Sequence, residues 1–283
     1  MSSVVNVFLS RIAETFAALK RDHGRGFIPF ITAGDPDLKT TLQLILELAR
    51  AGATLIELGV PFTDPMADGP VIQRASQRAL KHNFGIAEIL ETVAEARKQT
   101  DVSLILFSYF NPLLQFGEQK IGDGTSLLPA FNQLAGEAQA AGVDGFLVTD
   151  LVPEEAAEFA SVLRAHELDL IFLVAPTSTD VRLQLVAARA SGFIYAVSRA
   201  GITGAQAEMS VEAEKLVRRM RKFSDLPVAV GFGISTAEQV ADVWRYADAA
   251  VVGSAIVSEI ERARSADDAV ARVGQFAREL ISR

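Results

Sequence analysis

The sequence predicts a (β/α)8 TIM barrel formed by one domain spanning 1–283, with an extra N-terminal helix and an extended loop after the third strand. Three observations lead there. Eight short apolar runs follow one another along the chain, and amphipathic segments separate them. The runs are almost continuously apolar, as in a parallel sheet covered on both faces. Each run ends in Gly, Pro, Asp, Asn or Ser before the next helical pattern begins. Eight strand–helix units in 283 residues fit a closed barrel. An open doubly wound sheet is the alternative, because periodicity alone does not close a ring.

The elements follow in order. Phe8, Ile12, Phe16 and Leu19 recur at helical spacing and predict a helix ahead of the first strand. The strands are read at 27–32, 54–60, 102–109, 145–150, 170–176, 193–199, 227–233 and 249–254. Between them, Leu38–Ala51, Ile86–Lys98, Glu154–His166 and Ala237–Tyr246 carry apolar residues on one helical face. The stretch 115–129, "QFGEQKIGDGTSLLP", is rich in turn residues and reads as a long loop. No linker or composition shift divides the chain.

Composition narrows the function. There are no cysteines, which removes disulfides, thiolate metal sites and a cysteine nucleophile. Net charge is −8 and no basic stripe is present, so nucleic acid is not an expected partner. No apolar stretch is long enough to span a bilayer, and the N-terminus lacks the pattern of a signal peptide. The expectation is a cytoplasmic protein with no membrane partner.

The residues that are unusual for a strand or its exit gather on one side. Glu57 interrupts the apolar run of strand two, and Asp64 and Asp68 follow in a loop held by Pro61, Pro65 and Pro70. Tyr109, Asn111 and Pro112 follow strand three, and Asp150 ends strand four. Tyr195, Ser198, Arg199 and "GITG" (201–204) belong to strand six, "GFGIS" (231–235) to strand seven and "GSA" (253–255) to strand eight. Nearly all lie in the later half of a strand or beyond its C-terminal end. Oddities without a function would fall at both ends. In a barrel this places them around the mouth where active sites form.

A carboxylate within an apolar strand is costly unless it is paired, hydrogen-bonded or protonated. Glu57 and Asp68 are therefore the leading acid/base pair, with Asp64 and Asp150 read as loop braces. The glycine groups after strands seven and eight allow close backbone approach to an anion, next to free N–H groups at a helix N-terminus. Gly233 with Ser235 and Thr236, and Gly253 with Ser254, would supply donors. "GITG" could close as a lid, with Thr203 offering a hydroxyl. The histidines, His23, His82 and His166, lie away from strand exits, and no lysine occurs in any of the eight runs. Neither a metal site nor a Schiff-base amine is indicated. The chemistry is left to carboxylates, Tyr hydroxyls and electrostatics.

The motifs "FIPFITAGDP", "IELGVPFTDPMADGP", "VSRAGITG", "VAVGFGIS" and "VVGSAIV" resemble, in order, those of the tryptophan synthase alpha chain family. The resemblance implies a lyase that cleaves indole-3-glycerol phosphate to indole and glyceraldehyde 3-phosphate by a retro-aldol reaction, without metal or organic cofactor. It implies that Glu57 is the acid/base, that Asp68 accepts the indole N–H, and that Tyr195 positions Glu57 and the substrate. Phe30, Leu147 and Phe232 match positions lining the indole pocket and the neighbouring wall. Gly204, Gly233, Gly253 and Ser254 match the phosphate cradle, and Thr203 the lid contact.

The resemblance also implies a partner, a tryptophan synthase beta chain carrying pyridoxal phosphate, in an alpha2-beta2 heterotetramer in which each chain activates the other. Here the sequence departs from the pattern. Residues 118–130, "EQKIGDGTSLLPA", are an insertion close to the expected partner surface. A standalone lyase releasing free indole, and a non-catalytic regulatory barrel that binds phosphate, remain alternatives.

Overall fold

The computed structural model describes residues 10–118, 127–197, 206–231 and 233–282. Their eight strands are β1 (Gly26–Thr32), β2 (Leu55–Gly59), β3 (Ser103–Ser108), β4 (Gly145–Val148), β5 (Asp169–Val174), β6 (Ile194–Val197), β7 (Val228–Gly231) and β8 (Ala249–Val252). All pair in parallel and in sequence order, and β1 pairs with β8, so the sheet closes. The alternative of an open sheet is thereby removed. Where both can be compared, predicted and observed strand ends agree within two residues.

The helices are α1 (Arg11–Arg21), α2 (Leu38–Arg50), α3 (Pro70–Ala79), α4 (Ile86–Arg97), α5 (Phe110–Glu118) and α6 (Leu128–Ala141). There follow α7 (Ala157–Ala165), α8 (Asp180–Arg189), α9 (Gln206–Met220), α10 (Ala237–Val243), α11 (Ser254–Glu261) and α12 (Ala266–Ile281). The predicted N-terminal helix is α1. Ser10 caps it by accepting the Ala13 amide, and Ile12 and Phe16 are buried. Phe16 packs on Phe193 with ring centroids 5.8 Å apart, so α1 closes the N-terminal end of the barrel. The other end is left for the site.

Two segments differ from the expectation. The long loop read at 115–129 is shorter, because α5 runs to Glu118 and α6 begins at Leu128, while 119–126 lie outside the described residues. Phe110, Leu113 and Leu114 supply an apolar face at helical spacing that outweighs the turn residues nearby. Phe110 packs against Phe131 of α6 and Phe159 of α7, with centroids 5.8 and 6.2 Å away. Pro70, read as pinning a loop, is instead the first residue of α3. Its missing N–H costs nothing at a position where the amide has no intrahelical acceptor.

A buried charge network braces the N-terminal side of the barrel. Asp144 accepts the Leu104 amide and the Arg97 guanidinium, at 2.7 and 2.6 Å. Arg97 also donates to the carbonyls of Gly142 and Val102. Burial holds the Asp144 carboxyl above its usual range and the Arg97 guanidinium below its own. Each makes the other tolerable in that setting.

Candidate active site

The cavity lies at the C-terminal end of the barrel and has a volume of about 270 Å³. Its walls come from β1, β2, β3, β6 and β8 and from the loops and helices that follow β2, β7 and β8. Phe30, Phe107, Ile72 and Val251 make an apolar wall, and Glu57, Asp68 and Tyr195 face the same space. Phe30 and Phe107 meet edge to face, with centroids 5.3 Å apart. A flat aromatic ligand suits such a wall.

Glu57 stands between Phe30 on β1 and Ile105 on β3 in the strand ladders. It is 1% exposed, and its Oε1 has no hydrogen-bond partner among the described residues. Burial pushes its carboxyl well above the usual range. A protonated Glu57 is an acid ready to deliver a proton to a bound ligand. Tyr195 is buried beside it, and its phenol is raised by burial and by the Glu57 charge.

Two strand-end glycines make room for the rings. A Cβ on Gly59 would overlap the Phe30 ring, and one on Gly231 would overlap the Tyr195 hydroxyl. Gly231→Ala is expected to push Tyr195 out of place and lower turnover roughly 10-fold or more, since small misplacements at a site are costly. A steady-state assay alongside a thermal melt checks this, and wild-type turnover would contradict it.

Asp68 sits in the loop between β2 and α3. Burial pushes its carboxyl up to about 6, against a hydrogen bond from Tyr109 that lowers it. The loop is well braced. The Asp68 amide donates to the Pro65 carbonyl at 3.1 Å, and Gln73 donates to the Asp68 carbonyl at 2.9 Å. The two acids read as braces act locally. Asp150 accepts the Phe110 amide at 2.7 Å, and Asp64 accepts the Thr63 hydroxyl at 2.6 Å.

The cavity is also lined by Gly233, Ile234, Ser235, Gly253, Ser254 and Ala255. Gly253 precedes α11, whose first amides have no intrahelical acceptor and suit an anion. One expectation is corrected here. The amides of Ser235 and Thr236 donate to the Gln239 side chain, at 2.7 and 3.1 Å, as part of the α10 cap. They are already satisfied, whereas the first amides of α11 after Gly253 have no side-chain cap.

Other predicted residues fall elsewhere. Leu147 is fully buried in the barrel interior and is not among the cavity-lining residues. Thr203, Gly204 and Phe232 lie outside the described residues, as do Ser198 and Arg199. Sequence reading did not single out Phe107, Ile72 or Val251. Phe107 was detectable through the inward alternation of Ile105 and Phe107 along β3. Among the described residues no three His, Asp or Glu side chains cluster as a metal site would need.

A closed parallel barrel with two carboxyl groups facing one cavity with an apolar wall, and a helix N-terminus lining the same cavity, suits acid/base chemistry on an anionic ligand. The comparisons specify which. The family model described as tryptophan synthase alpha chain matches residues 16–282. The tryptophan synthase alpha chain of Solibacter usitatus is 44% identical over 272 residues, covering 96% of this chain and 97% of the relative. The crystal structure of tryptophan synthase subunit alpha from Legionella pneumophila superposes with a TM-score of 0.85 at 35% identity, covering 96% and 97% of the two chains. A chain from the tryptophan synthase a2b2 complex of Pyrococcus furiosus, from a study of its mutual activation, superposes with a TM-score of 0.79 at 36% identity, covering 91% of this chain and 98% of that one. The chain belongs to the tryptophan synthase alpha chain family. It is a lyase of tryptophan biosynthesis that cleaves indole-3-glycerol phosphate to indole and glyceraldehyde 3-phosphate.

Proposed function

We propose that Glu57, Asp68 and Tyr195 carry this cleavage as a metal-free and cofactor-free retro-aldol reaction. The supporting observation is that both acids face one cavity with an apolar wall, and that the N-terminus of α11 lines the same cavity. Glu57 protonates the indole at C3, and the resulting positive charge spreads to the ring nitrogen. Asp68 accepts the indole N–H and stabilises that charge. Loss of the proton from the glycerol hydroxyl next to the ring, taken up by Glu57, breaks the carbon–carbon bond. Indole and glyceraldehyde 3-phosphate result, and Glu57 ends protonated as it began. Tyr195 holds Glu57 and the substrate in register. Phe30 is assigned to the indole side, with Leu147 beneath it in the barrel interior and not lining the cavity, and Gly233, Gly253 and Ser254 are assigned to the phosphate. Thr203, Gly204 and Phe232 are assigned by motif to the lid, cradle and pocket.

The chain acts as one cytoplasmic domain spanning 1–283 and assembles with a tryptophan synthase beta chain as an alpha2-beta2 heterotetramer. Pyridoxal phosphate belongs to that partner. Family membership supports the partnership, and exposed apolar side chains support the face it uses. Met66 is 91% exposed in the segment after β2, and Leu127, Leu128 and Val152 are exposed in the segments after β3 and β4. Exposed apolar groups gathered on one rim mark an interaction surface. Leu127 and Leu128 belong to the 118–130 insertion, which favours contact with the partner over its passive accommodation. Indole release by the purified chain, alone and with a matching beta chain, tests this reading. Slow release that rises strongly with the partner is expected. Fast release unaffected by the partner would mean a standalone lyase.

A further inference from the structure

Tyr109 lies just beyond β3, is 5% exposed and is not among the cavity-lining residues. Its hydroxyl oxygen accepts the Ala67 amide at 2.8 Å. Its ring packs on Phe62, with centroids 5.2 Å apart. Both partners belong to the segment between β2 and α3 that carries Asp68. The acceptor role toward Ala67 leaves the phenolic proton free to turn toward the Asp68 carboxyl in the same loop, and the neighbouring phenol lowers that carboxyl's pKa. The phenol is pushed up to about 12, so that proton stays in place throughout the neutral range.

Tyr109 is itself held firmly. Its carbonyl accepts the Ser108 hydroxyl at 2.8 Å, and the Phe110 amide that follows it is held by Asp150 at 2.7 Å. The Thr149 amide, next to Asp150, donates to the Ser108 carbonyl at 2.9 Å. The exits of β3 and β4 thus form a fixed base for the tyrosine. Among the described residues the loop after β2 is tied by the Val60 amide to the Phe107 carbonyl at its start, and around Asp68 by short-range backbone bonds, the Gln73 side chain and this tyrosine.

We infer that Tyr109 is a positioning residue for Asp68: its ring and hydroxyl clamp the loop to the β3 exit and aim the Asp68 carboxylate into the cavity before substrate arrives. This rests on the assignment of Asp68 to the indole N–H. A pre-placed carboxylate needs no reorganisation when charge develops on the ring. A phenolic hydroxyl turned toward the carboxyl also favours the ionised form that the reaction needs.

The test compares Tyr109→Phe, Asp68→Asn and the double variant in the full chain, with and without a beta chain. Tyr109→Phe retains the ring on Phe62, so a folded protein is expected. Its turnover should fall roughly 10- to 100-fold, the scale of a small misplacement, while KM changes little. The acid limb of its kcat/KM profile should move to higher pH, because losing a donor to the charged carboxylate raises the Asp68 pKa. A purely structural tyrosine would leave that limb in place. The double variant should be no slower than Asp68→Asn alone, since Tyr109 acts through the group already removed. If Asp68→Asn is slow but Tyr109→Phe matches wild type in rate and profile, the positioning role is overturned and the assignment of Asp68 stands. If Asp68→Asn itself turns over normally, both fall together.

Discussion

Glu57→Gln should fold and be nearly inactive. The change keeps shape and removes the proton, so cleavage should fall by roughly 10²–10⁴-fold, the usual contribution of a positioned acid/base. KM should change far less than kcat, because the lost interaction is made chiefly in the transition state. The same variant should gain stability at neutral and alkaline pH. Burial raises the Glu57 pKa in the folded state above its unfolded value. The proton held there stabilises the fold fully below the unfolded pKa of about 4.3, and this contribution is lost as pH rises toward the folded pKa. Gln carries no such dependence. Thermal melts of both proteins should therefore diverge as pH rises, with Gln the more stable, and a steady-state assay measures the rate. A variant cleaving at the wild-type rate would remove Glu57 from the mechanism.

Asp68→Asn should be the second large effect. It preserves the loop size but replaces a charge with a neutral amide opposite the ring nitrogen. Removing one electrostatic stabiliser of a developing charge typically costs about 10²–10³-fold in kcat. The wild-type kcat/KM should fall as pH drops through about 6, where the Asp68 carboxyl takes up a proton. In the Asn variant that limb should disappear, leaving a low and flatter acid side. An unchanged acid limb in Asp68→Asn would assign it to another group.

Much of the architecture was legible in the chain. A strand buried on both faces must be apolar throughout, so β1 to β8 stand out against amphipathic helices. The placement of Glu57 was legible for the same reason, since a carboxylate in "TLIELGV" conflicts with its surroundings. Helix α5 was obscured because Gly117 and the following turn residues mask the face made by Phe110, Leu113 and Leu114. Helix α3 was obscured because Pro70 signals both a turn and a helix start.

Sequence by itself determined the order of elements and the family, and brought the two acids forward as candidates, because each rests on residue type and local spacing. Tertiary structure decided matters that depend on distant residues. The sheet closes because β8 reaches β1. Gln239 occupies the amides that Ser235 and Thr236 had offered to an anion. Gly231 serves Tyr195, which lies on the neighbouring strand 36 positions earlier in the sequence. Tyr109 reaches Ala67 across 42 positions to brace the loop of Asp68. Contacts of that range leave no periodic trace in the chain, since they are set by how the barrel brings strand ends together.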